Sequence, residues 1–433
     1  LNDARSPFGI RGGMVALPLV LFLCFTAGVR AQEGEKLVVL NHADSLVGRE
    51  MNGEQVKELI GDVQFTQGTT VVNCKRAMQY IASNRISLEG EVVVVDSNMR
   101  MLCRRGMYYG NEKIAEAFEH VTVEDGSTVL SSEYGKYFAD EKRAYFRGNV
   151  IVEDTGSIMT SRELTYDRRD QHSDARGTVK ITSARNGMTI SGDHFEDFKQ
   201  QGFSRMTEHP KLVQVDTASK GAPDTLVVRG GVMESYRDAP EHLVARDSVT
   251  ILRGELAAEA GEGVFYPQAD SIILRKSPFV WYSVERSRDN QVSGDSIFIK
   301  LRKRKPGTIY VEGDAYAVSR ADSLYPDRFN QMSGQEIVMS FADERIQRID
   351  VERTATSLYY LFDGTNPNGL NKASGDRVTI RFKEGRIDKL NVISGPEGQY
   401  LPEKMIRHRE TEYNLPGFNW RERRPGKRTS NVN

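Results

Sequence analysis

The chain is poor in cysteine and tryptophan, with three Cys and two Trp in 433 residues. One of the three, Cys24, lies in the N-terminal segment, so at most one disulfide, Cys74–Cys103, can serve the rest of the chain. An excess of charge of one sign is also lacking. Lys and Arg number 59 against 60 Asp and Glu, a formal net charge of −1, so no global basic field points to nucleic acid. Helical periodicity is absent beyond the first thirty residues, which excludes a helical bundle; short apolar runs and frequent Gly fit an all-β protein. Catalytic signatures are missing too. The seven histidines (42, 120, 172, 194, 209, 242 and 408) do not pair at metal-ligand spacing. There is no nucleophile elbow, no phosphate-binding glycine loop and no zinc-protease motif. No catalytic residue, metal or cofactor is assigned, and an enzyme is not expected.

What is present is a repeat. Gly90-Glu91-Val92, Glu119-His120-Val121, Gly148-Asn149-Val150 and Gly177-Thr178-Val179 follow one another at steps of 29 residues; the earlier Gly61-Asp62-Val63 is read as outside this register. A fixed period of this size marks a stack of identical small units, which makes an extended surface or groove more readily than one catalytic centre. The copy from Thr128 to Val152 reads as strand, charged turn (Ala139 to Arg143), strand.

Columns 29 residues apart define the faces. Val92, Val121, Val150 and Val179 form one column, and Val94, Val123, Val152 and Ile181 form the next. Leu88, Ala117, Phe146 and Ala175 share their parity, while Glu91, His120, Asn149 and Thr178 fall between. This alternation puts one side of the strand inside and the other in water. In the first strand of each unit Met101, Leu130 and Met159 align, as do the small residues Cys74, Cys103, Ser132 and Ser161, and then Tyr108, Tyr137 and Tyr166. The step from 74 to 79 is odd, so parity changes once, and a bulge near Ala77, Gly106 and Gly135 is expected. Later unit starts, at Gly294, Gly334 and Gly375, are 40 and 41 apart, so units lengthen through longer strands or longer turns.

The ends and interruptions set the organisation. Arg11, the apolar run Met14–Phe25 and small residues before Gln32 predict a cleavable secretory signal over 1–31, and hence the periplasm. A first repeat segment spans 37–215 and a second 225–398, separated by a small, polar, Pro-bearing stretch near Ala218. A basic, Pro-containing tail, 399–433, is expected to be extended, with Leu415–Trp420 as its one apolar docking spot. Some features have two readings. Cys74 and Cys103 are either a bridge or two small buried residues. Asp193, Asp295 and Asp376 are a calcium ladder or, preferably, the starts of turns or bulges. The basic run 300–305 is a phosphate contact or a solvated hairpin tip.

The pattern Ser-Gly/Ser-(Asp/Glu)-x-x-x-(Tyr/Phe), turn, Gly-(Asn/Asp/Thr)-Val-x-(Val/Ile) resembles that of the OstA-like family of lipopolysaccharide-transport proteins, which includes LptA, LptC and the N-terminal domain of LptD. Ser131-Ser132-Glu133 to Gly148-Asn149-Val150 and Thr160-Ser161-Arg162 to Gly177-Thr178-Val179 carry it best, with coverage from about Leu37 to about Gly398. The chain departs from it in its length and its stretched later units. The resemblance implies an elongated, twisted, open β-jellyroll with an apolar interior, joined to other OstA-like proteins through edge strands. It further implies a non-enzymatic periplasmic bridge carrying lipopolysaccharide or a related glycolipid. The groove candidates are then Val92, Val94, Met101, Tyr108, Val121, Val123, Leu130, Tyr137, Phe146, Val150, Val152, Met159, Tyr166, Val179 and Ile181. The alternatives are a structural β-solenoid scaffold of the cell envelope and, less favoured for want of an acidic ladder, a polysaccharide-processing β-helix.

Overall fold

The computed structural model describes residues 38–422 and 425, apart from 98, 184–186, 217–223, 255, 285–287, 303–304, 343–344 and 384–385. The signal segment and most of the interruption near Ala218 lie outside the described residues. The described residues form two compact units, one ending at Pro210 and the other beginning at Lys211. Both are almost wholly antiparallel β.

The N-terminal unit runs β1 (Val39–His42), β2 (Ser45–Met51), β3 (Glu54–Gln67), β4 (Thr70–Tyr80), β5 (Arg85–Asp96), β6 (Met99–Tyr109), β7 (Ile114–Asp125), β8 (Thr128–Phe138), β9 (Arg143–Glu153), β10 (Ser157–Asp167), β11 (His172–Ser183), β12 (Met188–Phe198) and β13 (Phe203–Thr207). From β3 to β12 each strand pairs with the next. The polar turns do what their composition asks. Gln67 pairs with Thr70 and Asp125 with Thr128 across two-residue turns, and Gly126 supplies a positive φ. At the opposite ends the longer turns bond to one another, as in Gly110 N–H to Asn84 O, Ala139 N–H to Lys113 O and Arg168 N–H to Lys142 O.

Every second strand carries a sharp bend. Two consecutive residues there adopt left-handed backbone: Gly90-Glu91 in β5, Glu119-His120 in β7, Gly148-Asn149 in β9 and Gly177-Thr178 in β11. In β9 the pairing to β8 slips from Ser131↔Ile151 to Tyr134↔Arg147, so β9 holds one extra residue. This is a bulge, and bulges bend the strand that carries them. Gly61-Asp62 has the same backbone and the same slip, from Ile60↔Arg76 to Val63↔Cys74, and 90 − 61 is again 29. The repeat therefore begins one unit earlier than the sequence reading placed it. The extra residue is also not near Ala77, Gly106 and Gly135. Those strands do change parity, as shown by buried Leu130 and Ser132 followed by buried Gly135 and Tyr137, but they do so by bending at Glu133-Tyr134 opposite the bulge.

The C-terminal unit repeats the device on longer strands. It contains β14 (Lys211–Asp216), β15 (Asp224–Arg229), β16 (Val232–Tyr236), β17 (His242–Arg253), β18 (Leu256–Tyr266), β19 (Ser271–Arg275), β20 (Phe279–Val284), β21 (Arg288–Ser293), β22 (Ser296–Arg302), β23 (Lys305–Arg320), β24 (Phe329–Ala342), β25 (Arg345–Asp363), β26 (Asn366–Lys383), β27 (Arg386–Ile393) and β28 (Glu397–Pro402). Left-handed pairs recur at Asp247-Ser248, Lys276-Ser277, Gly313-Asp314, Arg353-Thr354 and Ser394-Gly395. At two of them the chain is broken into separate strands, β19 and β20 around Lys276-Ser277, β27 and β28 around Ser394-Gly395. The lengthened units are explained by strand length: β25 has 19 residues and β26 has 18, against 11 in β9.

The Ser-Gly-Asp starts belong to this geometry. The backbone N–H groups of Asp193, Asp295 and Asp376 donate to Glu208, Glu312 and Ser394 carbonyls, each within or beside a left-handed pair. A Cβ on Gly334 or Gly375 would lie 2.6 or 2.7 Å from a Cγ1 of Val351 or Val392. Only glycine permits so close a crossing at the bend. The chain after β28 is not extended: it forms α1 (Glu403–Ile406) and a 3-10 turn, Glu410–Tyr413, and Ile406 and Leu415 are buried.

The bend yields a prediction. Gly148 sits at φ +83°, and a Cβ there would lie 2.9 Å from Glu133 Cβ. Gly148→Ala is expected to destabilise the N-terminal unit by about 1–3 kcal/mol, whereas Asn149→Gly changes stability by less than about 1 kcal/mol. Native-state hydrogen exchange of the β8–β10 amides checks both.

Candidate functional site

The inner face of the N-terminal unit is built from transverse rungs, one residue per strand. Beyond the bends, Val94, Met101, Val123, Leu130, Val152, Met159 and Ile181 are successive register partners from β5 to β11. Beside them valines alternate with small residues: Val92 faces Cys103, Val121 faces Ser132 and Val150 faces Ser161. Before the bends, Leu88, Gly106, Ala117, Gly135, Phe146, Leu164 and Ala175 form a third rung of complementary sizes. The fourth alternates Tyr108, Ala115, Tyr137, Ala144, Tyr166 and Ser173.

The bend folds these rungs onto each other. A Cβ on Gly135 would lie 3.3 Å from the Phe146 ring and 3.5 Å from Val121 Cγ1, a residue beyond the bend. All the groove candidates except Tyr108 are buried, none more than 5% exposed. Tyr108 is half-buried. The structure thus brings the candidates together on one continuous apolar surface. In the ligand-free chain that surface is packed against itself at interior density. Its polar content is a few hydroxyls; the Oγ atoms of Ser161 and Ser173 are buried and have no hydrogen-bond partner. Burial raises the phenols of Tyr108 and Tyr166 to about 12, so both stay neutral hydrogen-bond donors at physiological pH.

Cys74 and Cys103 are both buried and free. They share a column but not a contact, because β5 runs between β4 and β6, with Val92 as Cys103's register partner. Two strand spacings separate their backbones by about 10 Å, beyond the roughly 7 Å a disulfide can span. They fill the small-residue position that Gly192 takes opposite Val179.

The outer face carries a feature that residue columns did not reveal. Arg76, Glu89, Arg105, Phe118, Tyr134, Arg147, Glu163, Arg176 and His194 are successive register partners across ten strand positions that begin at Ile60 of β3. Phe118 and Tyr134 pack at 5.3 Å, flanked by the guanidinium groups of Arg105 and Arg147. The Tyr134 hydroxyl donates to Glu116 at 2.7 Å. At the end of the row Asp174, His194 and Glu196 form the one cluster among the described residues with donors suited to a cation. Sequence spacing hid it, because its members come from two strands. Arg176 already holds Asp174 through two bonds of 2.9 and 3.0 Å, so the cluster is a complete ion-pair network.

Two sheet edges complete the picture. β1 and β2 pair with the two halves of β3, and among the described residues no strand covers their other side. Val39 and Leu46 there are 53% and 58% exposed. At the far end of the C-terminal unit β27 and β28 pair with the two halves of β26, and Ile393 and Tyr400 are likewise about half exposed. Of the basic run 300–305, Lys300 and Arg302 lie exposed on β22, and Lys300 donates to the carbonyl of Ala269.

Residues 82–189, from the turn before β5 into β12, match the family model described as OstA-like protein. Comparison with curated proteins gives no match. Among solved structures the chain is similar to the crystal structure of LptH, the LptA homologous periplasmic component of the conserved lipopolysaccharide transport device from Pseudomonas aeruginosa. The identity is 12%, over 34% of this chain and 82% of that one, with a TM-score of 0.19. Among the described residues no helix is long and apolar enough to cross a membrane.

Burial pushes both thiols up to about 11, so at pH 8 they are protonated as well as shielded. Cys74 and Cys103 are expected to resist alkylation in the folded chain and to react within minutes in denaturant. Mass spectrometry of the alkylated protein, without prior reduction, reads this directly.

Proposed function

With an OstA-like segment at residues 82–189 as the premise, we propose that this chain is a non-enzymatic periplasmic bridge, exported by its N-terminal signal. It carries lipopolysaccharide or a related glycolipid from the inner towards the outer membrane. The acyl chains lie between the two half-sheets of the N-terminal unit, and the sugar stays outside. The observation that carries this reading is the constancy of the inner rungs over the matched segment. From β5 to β11 every strand presents Val, Leu, Ile or Met at the same depth beyond the bend. A folding core needs only adequate total volume, whereas a ligand sliding along a stack needs the same apolar surface at each step.

Because the rungs are packed in the ligand-free chain, loading parts the two half-sheets at their free strand ends. The bends act as the hinge line. The lipid replaces side-chain contacts with equivalent apolar ones, so opening costs little once a chain has entered. The exposed apolar edges at β1–β2 and β27–β28 pair with the edge strands of other OstA-like proteins, which extends the path.

The burial of these rungs also favours a second reading, a structural scaffold whose interior never opens. One experiment separates the two. A photo-reactive residue at Val121 or Val150 is expected to crosslink to glycolipid in cells, while one at the exposed Glu153 is not. Absence of lipid adducts from both interior positions, in chains that retain the wild-type circular dichroism spectrum, rejects the transport reading in favour of the scaffold.

A further inference from the structure

The outer faces of the two units differ. In the N-terminal unit the outer face is the charged and aromatic row described above. In the C-terminal unit the corresponding face is apolar and is covered by the chain's own residues 403–422. Phe279, Trp281, Val318, Phe329 and Leu358 lie on it, all buried. Leu415, Phe418 and Trp420 pack onto it, with Phe329 5.2 Å from the Phe418 ring and 4.8 Å from the Trp420 ring.

Two glutamines read the backbone of the covering segment. Gln331 is fully buried; its Oε1 accepts the Leu415 N–H at 2.8 Å and its Nε2 donates to Asn414 Oδ1 at 2.5 Å. Gln291, 1% exposed, accepts the Arg421 N–H at 3.0 Å and donates to the Arg421 carbonyl at 2.8 Å. This pair copies the two-way bonding of a strand neighbour using a side-chain amide. A buried primary amide left without partners costs about 1–3 kcal/mol, so each glutamine demands a peptide. Beyond them the Arg421 guanidinium sits 3.9 Å from the Phe279 ring centroid, with Nη1 3.4 Å from Glu259 Oε2.

We propose that this face is a peptide-recognition surface for an extended segment of the type Leu-Pro-Gly-Phe-x-Trp-Arg, occupied in cis by residues 414–421 and exchanged with the same segment of a second copy. Three observations support exchange. Every anchoring contact lies within one contiguous stretch, so a segment in trans satisfies the same groups. That stretch forms no strand with the body. The connector 403–413 is held compact as α1 and a 3-10 turn, and drawn out it would span about 35 Å, enough to reach a neighbour. The connector leaves β28, one of the free-edge strands, which is where another copy would stand. The fit in cis is also incomplete, because the buried Trp281 indole N–H has no acceptor among the described residues. Exchange of an identical element between copies keeps the contacts and is decided by effective concentration. A latch opposes it: Arg328, 2% exposed, holds Glu403 at 2.8 Å and Glu410 at 3.1 Å.

The test uses full-length chains carrying a photo-reactive residue at Phe418. Light and ¹⁵N-labelled copies are mixed, equilibrated and irradiated, and crosslinks from position 418 to the β24 region are sorted by isotope. Crosslinks that join one light and one heavy peptide are expected, rising several-fold in the Glu403→Gln, Glu410→Gln variant in which the latch is weakened. Crosslinks of one isotope only, in both chains, overturn exchange and leave a fixed strap. As a second arm, a labelled peptide of residues 413–422 is titrated onto a full chain carrying Leu415→Ala and Trp420→Ala. Saturable binding at least tenfold tighter than to the wild-type chain supports the surface, and none overturns it. Neither arm uses lipid, so these results are independent of the transport reading.

Discussion

The fold depends on one backbone constraint: two consecutive left-handed residues, placed in every second strand, turn a flat ladder into two facing half-sheets. A strand of 11 or 12 residues that ran straight would expose one apolar face along its whole length. The bend lets each strand bury its own first half against its second. The conformation is costly for residues other than glycine, notably Thr178 and Thr354, which are β-branched. It persists because repeated interior packing outweighs it. It also dictates composition opposite the bend, where Cys74, Cys103, Ser132, Ser161 and Gly192 leave room for the valine that follows the pair.

Much of this was legible in the sequence. The 29-residue columns name the inner rungs correctly, because periodicity two survives within each half-strand, and every residue so chosen but Tyr108 is buried. What periodicity lacks is pairing register. The parity change in the first strand of each unit is visible, but the residue that causes it sits on the partner, four places after Phe146 and not at Gly135. The first copy escaped notice for a related reason. At its position Glu58 is buried under Arg49 and Arg76, and Leu59 is only half-buried, so an end strand no longer shows the internal pattern. Gln291 and Gln331 were invisible, since an isolated glutamine reads as surface until a peptide is found bonded to both of its ends.

The two units apply one inner design to two outer surfaces. In the N-terminal unit, guanidinium, carboxylate and aromatic groups alternate along the outer row, so it stays soluble and satisfied without a covering layer. In the C-terminal unit longer strands carry apolar side chains on both faces between Ala315 and Val318 and between Ser357 and Tyr360. A sheet apolar on both faces requires a third layer, which the segment after β28 supplies. The chemistry proposed for the interior and the chemistry proposed for the outer face therefore occupy opposite sides of the same kind of sheet.

The extra residue is confined to alternate strands, and this sets the unit in which such a chain can grow or shrink. Removing a single strand from the regular region would leave two bulged strands as neighbours, with their side chains pointing to the wrong sides. Removing a whole hairpin of 29 residues leaves every remaining register intact. Length is thus adjustable in steps of one hairpin, each adding two strands to the apolar interior without altering its cross-section, so a gap between two fixed surfaces can be matched by counting hairpins.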